Sequence, residues 1–242
     1  MSTAVTDIRE QRAQPVAPYW HSLIFLAIVA VTVFFGYRAQ HHDTGTSGLV
    51  AQHTNVIRIY VGAAVLDWLL FWFCWWGVSL KGVSLRDLFQ PRWNSLRAFA
   101  IDIALLIPFW IIWEYTAFGV HRLLGPNEAK TVDVLLPQTI AEIVAWIGVS
   151  ITAGIAEEAV FRGYVQRQLL GVSNSVVIAV VGQGIVFGLG HAYQGWKNVI
   201  VISVLGVLYG AFAIWRRSLL PNVVMHAWTD VYEGWLKFLI WH

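Results

Sequence analysis

The chain has 242 residues, of which 57% are apolar and only 12% are charged, and its formal net charge is +2. Soluble domains carry about 25% charged residues, so this composition excludes an ordinary soluble protein and indicates a membrane protein. The small net charge gives no indication of a nucleic-acid partner. The single cysteine, Cys74, excludes an internal disulfide and a zinc site built from cysteines.

Residues 1–18 are polar, contain prolines and lack the apolar core of a signal peptide, so we predict a flexible amino-terminal arm. Apolar segments follow, several of them reaching the roughly 20 residues that cross a bilayer as a helix. Open strand edges cannot be satisfied in lipid, so the predicted fold is an all-α polytopic transmembrane bundle of about seven helices. The fourth segment is too long for one crossing, and part of it is predicted to project into water. The segments are residues 19–37, 56–80, 96–120, 139–170, 175–191, 199–215 and 219–240.

Basic residues are unevenly distributed between the two sides of this predicted bundle. With the amino terminus inside, ten arginine and lysine residues lie on the inner side and six on the outer side. The positive-inside rule therefore predicts a cytoplasmic amino terminus. We expect a multi-pass protein of the plasma membrane.

The fourth segment contains two adjacent carboxylates, Glu157 and Glu158, with Arg162 four residues further on. Ionisable side chains at membrane depth are costly and rare. Glu158 and Arg162 can pair on one face of a helix, which leaves Glu157 freer. The pattern is typical of a functional site, and a buried ion pair that only holds helices together is the structural alternative.

Two further patterns follow on later helices. Phe187 and His191 are four residues apart, so the ring can pack beside the imidazole. His226 and Asp230 share the same spacing, and Asp230 can accept a hydrogen bond from one ring nitrogen and so orient the other. Taken alone, each pair also fits a purely structural role.

The ionisable groups of the three patterns lie on three of the last four predicted helices. Left unpaired in hydrocarbon, each would cost several kcal/mol. We therefore predict that they satisfy one another around one hydrated cavity, shallow and open to the cytoplasm.

In this order, the patterns resemble those of the CPBP family of intramembrane proteases, which includes the type II CAAX prenyl endopeptidases and the bacteriocin-related Abi proteins. The family pattern is Glu-Glu-x-x-x-Arg, then Phe-x-x-x-His, then His-x-x-x-Asn/Asp. The resemblance covers about residues 139–240 and implies a catalytic core over residues 139–242. Residues 19–138 are predicted to hold transmembrane helices without a family motif.

The resemblance implies hydrolysis of a peptide bond within the membrane. Carried over to this sequence, Glu157 and His191 would activate a water. Glu158 and Arg162 would support the site, together with Phe187. A carboxylate in a pocket of low dielectric constant can serve as such a general base.

By the same resemblance, His226 and Asp230 would stabilise the oxyanion or hold the geometry. Family members often have Asn at the position of Asp230, and an ionised Asp cannot donate a hydrogen bond. We predict that Asp230 orients His226 or is itself protonated.

Metal dependence stays open at this stage. Glu157, His191 and His226 match the ligands of a hydrolytic zinc site, and a water activated by Glu and His without a divalent metal is the other option. Residues 41–43, with His53, form a second candidate metal site that is more typical of a solvated loop.

The predicted function is that of an intramembrane endopeptidase, with prenylated CAAX-type proteins or bacteriocin-like peptides as candidate substrates. The expected partners are membrane lipid and a peptide or membrane-protein substrate. The main alternative is a non-catalytic bacteriocin-immunity or scaffold protein of the same fold. A proton- or ion-coupled transporter is a third possibility, although no internal repeat is present.

Overall fold

A computed structural model describes residues 14–41, 56–125 and 135–236. In these ranges the chain is helical and has no strand, which confirms the predicted all-α class. A 3₁₀ turn, Ala192–Gln194, and two π-helical segments, Glu158–Gln166 and Tyr232–Leu236, connect or extend the α-helices. The α-helices are α1 Tyr19–His41, α2 Val56–Ser79, α3 Leu85–Phe89, α4 Leu96–Leu124, α5 Ile140–Glu157, α6 Arg167–Ser173, α7 Val176–Gly190, α8 Trp196–Arg216 and α9 Leu220–Val231.

Five helical stretches are long and apolar enough to cross a membrane, counted over the described residues, which supports a multi-pass membrane protein. The longest runs without interruption over Ile140–Ser173, through α5, the first π-helical segment and α6. At about 1.5 Å per residue, its 34 residues exceed the roughly 30 Å of a hydrocarbon core. This length agrees with the expectation that part of the segment projects into water.

Local sequence signals set several of the helix boundaries. Thr139 and Glu142 form a capping box at the start of α5, in which each side chain accepts a hydrogen bond from the other residue's backbone N–H. Asn174 ends α6 in the left-handed conformation, with φ of 54°, and Ser175 caps α7. A turn therefore separates α6 from α7, in the gap between the predicted segments 139–170 and 175–191.

Helices α7 and α8 pack closely through glycines. A Cβ on Gly188 would clash with the backbone oxygen of Val199 and with the Ser203 hydroxyl. A Cβ on Gly206 would lie 2.7 Å from the Cα of Gly184. Glycines four residues apart, such as Gly184 and Gly188, let membrane helices approach each other closely. Here they bring α7 against α8, and α7 ends at the candidate site.

Helix α9 lies antiparallel against α5. Near one end, the Trp146 indole donates a hydrogen bond to the backbone oxygen of Asp230 at 3.1 Å. Near the other, Gly154 leaves room for the backbone of Val223, because a Cβ there would lie only 2.8 Å from its oxygen. This contact brings the His226 pattern beside the carboxyl end of α5.

The first π-helical segment is buried along its whole length, and α1 and α2 contribute to its packing. The fully buried His21 on α1 bonds through its two ring nitrogens to the Tyr164 hydroxyl and the Phe73 backbone oxygen, each at 3.0 Å. Three helical segments are thereby joined at one imidazole. π-Helical turns are rare and occur frequently at functional sites.

Residues 14–18, the last part of the predicted amino-terminal arm, pack against α6. The Gln168 side chain exchanges two hydrogen bonds with the Ala17 backbone, at 2.9 and 3.0 Å. The remainder of the arm lies outside the described residues, as do His53 and the side chains of residues 41–43.

Candidate active site

A buried ion pair forms the centre of the site. One Glu158 oxygen accepts a hydrogen bond from Arg162 at 2.9 Å, and both side chains are fully buried. The guanidinium lies over the Phe187 ring, 4.5 Å from its centroid, and 5.0 Å from that of Tyr209. It also donates to the backbone oxygen of Gly206 at 3.3 Å. The i,i+4 pairing expected from the sequence is present, although the backbone between the two residues is π-helical.

The Glu158 carboxylate also holds groups from α9. Its Oε1 lies 2.9 Å from Nδ1 of His226, and its Oε2 accepts a hydrogen bond from the Asn222 amide at 3.1 Å. An ionised carboxylate only accepts, so Nδ1 of His226 carries the proton of this bond. The same amide donates to the backbone oxygen of Tyr209 at 2.9 Å. Glu158 therefore fixes both the tautomer and the orientation of the imidazole.

The other ring nitrogen of His226 faces two carboxylates without a direct hydrogen bond. Its Nε2 lies 3.6 Å from Oε2 of Glu157 and 3.9 Å from Oδ2 of Asp230. Oε2 of Glu157 is buried and has no hydrogen-bond partner among the residues that the structure describes. Polar groups separated by more than about 3.5 Å are commonly bridged by water, so this gap can hold a water between an acid and an imidazole. The orienting bond to His226 thus comes from Glu158, and not from Asp230 as predicted from the sequence.

His191 caps the carboxyl end of α7. Its Nδ1 donates to the backbone oxygen of Phe187 at 2.9 Å, which leaves the lone pair on Nε2. The Phe187 ring lies edge-to-face with both imidazoles, with centroids 5.0 Å from His191 and 5.8 Å from His226. The predicted contact between Phe187 and His191 is therefore present, and the same aromatic ring contacts both histidines.

The sequence patterns missed several members of this cluster. Asn222 and Tyr209 are both fully buried. Asn222 donates a hydrogen bond to Glu158, and the Tyr209 ring stacks on the imidazole of His226. Asp67 on α2 interacts electrostatically with Glu157, His226 and Asp230, although the first three helices were assigned no motif. A signal was available for Asp67, because it is the only acidic residue in α2 and intramembrane carboxylates are functional candidates.

The donors do not gather as a metal site. Among the residues that the structure describes, no three His, Cys, Asp or Glu side chains lie close enough to share one ion. Each histidine uses only Nδ1 in a hydrogen bond, with Glu158 for His226 and with a backbone oxygen for His191, and zinc-binding histidines commonly use their second nitrogen in this way. Among the described residues, the zinc set considered from the sequence, Glu157 with His191 and His226, does not lie close enough together to share one ion.

The comparison with known families gives one match. Residues 139–232 match the family described as type II CAAX prenyl endopeptidase Rce1-like. No curated protein and no solved structure matches the chain. The match supports a CAAX-type intramembrane endopeptidase as the general class, and its range includes every residue of the three sequence patterns. This match over residues 139–232 supports the CPBP family that the ordered motifs of the sequence predict.

Proposed function

We propose that this protein is an intramembrane endopeptidase in which Glu157 activates a water for attack on a peptide bond. The observation that carries the proposal is the arrangement at His226, whose Nδ1 is held by Glu158 and whose Nε2 faces the unpartnered oxygen of Glu157 at 3.6 Å. A gap of this size between an acid and an imidazole suits a bridging water, which is the reactant that the proposed hydrolysis needs.

The reaction proceeds by general acid–base chemistry. The water oxygen attacks the carbonyl carbon while Glu157 takes one proton. The family resemblance assigns the orientation of this water to the Nε2 lone pair of His191. The carbonyl oxygen becomes an oxyanion that accepts a hydrogen bond from Nε2–H of His226 in its protonated state. The C–N bond then breaks, its electrons go to nitrogen, and the proton on Glu157 passes to the departing amine. The products are a carboxylic acid and an amine.

Glu158 and Arg162 act through other residues. With its positive partner at 2.9 Å, Glu158 stays ionised inside the protein and stabilises the imidazolium form of His226. Three further carboxylates interact electrostatically with His226, namely Asp67, Asp230 and Glu157. The positive charge of Arg162 offsets part of their negative charge.

Farnesylated peptides ending in a CAAX motif test the substrate class. We expect membranes containing the wild-type protein to release the terminal tripeptide, and membranes containing Glu157→Gln not to release it. The matched control is the same peptide without the prenyl group, which a prenyl-specific enzyme leaves intact. Mass spectrometry of membrane proteins from both strains identifies other substrates by new carboxyl termini that require Glu157. If neither assay finds a product, the non-catalytic immunity or scaffold function is favoured.

Asp230 gives a second test of the mechanism. We expect Asp230→Asn to retain activity within about tenfold of wild type, well short of the loss from removing a general base. Asn keeps the size of the side chain and can donate a hydrogen bond to the oxyanion, while Glu158 still orients His226. Initial rates at saturating peptide measure the effect. A loss as large as that of Glu157→Gln would instead assign an ionised orienting role to Asp230.

A further inference from the structure

A basic cavity lies outside the candidate active site, where the first turns of α4 meet the last turn of α8. It has a volume of about 660 Å³ and is lined by Arg92, Arg216 and Arg217, with Asn94 and Asp102 among the other residues. A neighbouring cavity of about 420 Å³ shares two of these arginines, so the two form one basic depression.

Only one of the three arginines is neutralised by an ion pair. Arg216 donates to Oδ1 of the buried Asp102 at 2.7 Å, and the other oxygen of Asp102 accepts from the Trp93 indole at 3.0 Å. In the described part of the chain, the guanidinium groups of Arg92 and Arg217 form neither an ion pair nor a hydrogen bond. The 660 Å³ cavity therefore carries an excess of positive charge.

The smaller cavity contains one further carboxylate, Asp87, beside Arg86. Hydrogen bonds from the Ser84 side chain and backbone hold the pKa of Asp87 below its usual value, so it is ionised at neutral pH. The negative charge of Asp87 can offset the positive charge of Arg86. The excess charge of Arg92 and Arg217 remains.

The backbone holds the cavity in place. Arg217 ends α8 in the left-handed conformation, with φ of 51°, and its N–H donates to the Ala213 oxygen at 2.8 Å. Two residues later, the N–H of Leu219 donates to the oxygen of Phe89 at 3.0 Å. The turn that carries Arg217 is thus bonded to the end of α3, next to the loop that carries Arg92.

Exposed apolar side chains adjoin the cavity on both helices. Trp215 lines it and is 61% exposed, while Leu96 and Phe99 are exposed on the first turn of α4. Tryptophan is enriched at the boundary between lipid and water. A ligand with an anionic head and apolar chains complements this combination, because basic pockets between membrane helices bind anionic lipid head groups.

We infer that this cavity binds the phosphate group of an anionic phospholipid, with Arg92 and Arg217 as its charge partners and the acyl chains along the exposed apolar surface. The ligand is a membrane lipid and not free phosphate, because an inorganic ion would leave Trp215 and its apolar neighbours without a contact.

Native mass spectrometry of protein exchanged into mixed phosphatidylglycerol and phosphatidylcholine measures the lipid preference. We expect wild type to retain phosphatidylglycerol in preference to phosphatidylcholine. In the double variant Arg92→Gln/Arg217→Gln, we expect this preference to be about 25-fold weaker. This expectation takes each arginine near an anionic surface as about fivefold in binding. The control, Arg122→Gln at the other end of α4, keeps the wild-type preference.

An unchanged preference in the double variant would overturn the lipid site. If the double variant does not fold, the preference of Arg92→Gln alone is expected to be about fivefold weaker than that of wild type. An unchanged preference in this single variant would likewise overturn the lipid site. A second arm adds inorganic phosphate to the wild type. Displacement of phosphatidylglycerol by millimolar phosphate would assign the cavity to a free anion instead.

Discussion

Replacing Glu157 by glutamine is expected to lower the rate of peptide cleavage by a factor of about 10²–10⁴, the usual contribution of a general base. Glutamine has the same shape as glutamate and cannot take a proton from water at neutral pH. The stability of the bundle should change little, because Oε2 of Glu157 has no hydrogen-bond partner to lose. Initial rates on a cleaved peptide, measured with purified wild type and variant, give the factor.

The matched control is Glu142→Gln on the same helix. Glu142 accepts hydrogen bonds from the Gln138 and Thr139 backbone at 2.7 and 3.0 Å, and glutamine can replace glutamate in such a capping box. We therefore expect this variant to keep its activity. If Glu157→Gln cleaves at the wild-type rate, Glu157 is not the base and the proposed mechanism is wrong.

The buried thiol of Cys74 provides a fold control for every variant. It is the only cysteine of the chain and is 2% exposed, so a thiol-reactive dye reports its release when the bundle unfolds on heating. An inactive variant whose dye signal rises at the wild-type temperature has lost chemistry and not structure.

Contacts set by the period of a helix could be predicted from the sequence. Glu158 with Arg162, and Phe187 with His191, are each four residues apart, and both pairs are in contact. The ends of the apolar segments also agree with the helices, because capping residues such as Ser175 mark them locally. Helix α3 was missed, since it has only five residues and only its capping box indicates it.

Contacts between distant helices could not be predicted in the same way. The sequence suggested that His226 and the acidic pair share a cavity, but not that Glu158, rather than Asp230, bonds to the imidazole. That choice depends on how α9 packs along α5. The π-helical segment is a further example, because it is buried in the core with residues of α1 and α2 and no side-chain cap marks its start.

Removal of the arginine from the central ion pair should have the largest effect on stability. We expect Arg162→Met to lower the free energy of unfolding by about 3–5 kcal/mol, because it leaves the carboxylate of Glu158 buried without its counter-charge. The variant also loses the cation–π contacts with Phe187 and Tyr209. Unfolding followed with the thiol dye measures the loss.

The double variant Glu158→Gln/Arg162→Met separates the cost of a stranded charge from the cost of lost packing. With both charges of this pair absent, neither partner is left as a stranded ion, and a glutamine can still accept the hydrogen bond of Asn222. We expect the double variant to be more stable than Arg162→Met and yet inactive, since His226 no longer has a carboxylate to stabilise its charged form. If the double variant is the less stable of the two, Glu158 is not held by Arg162, and the ion pair is not the support of the site.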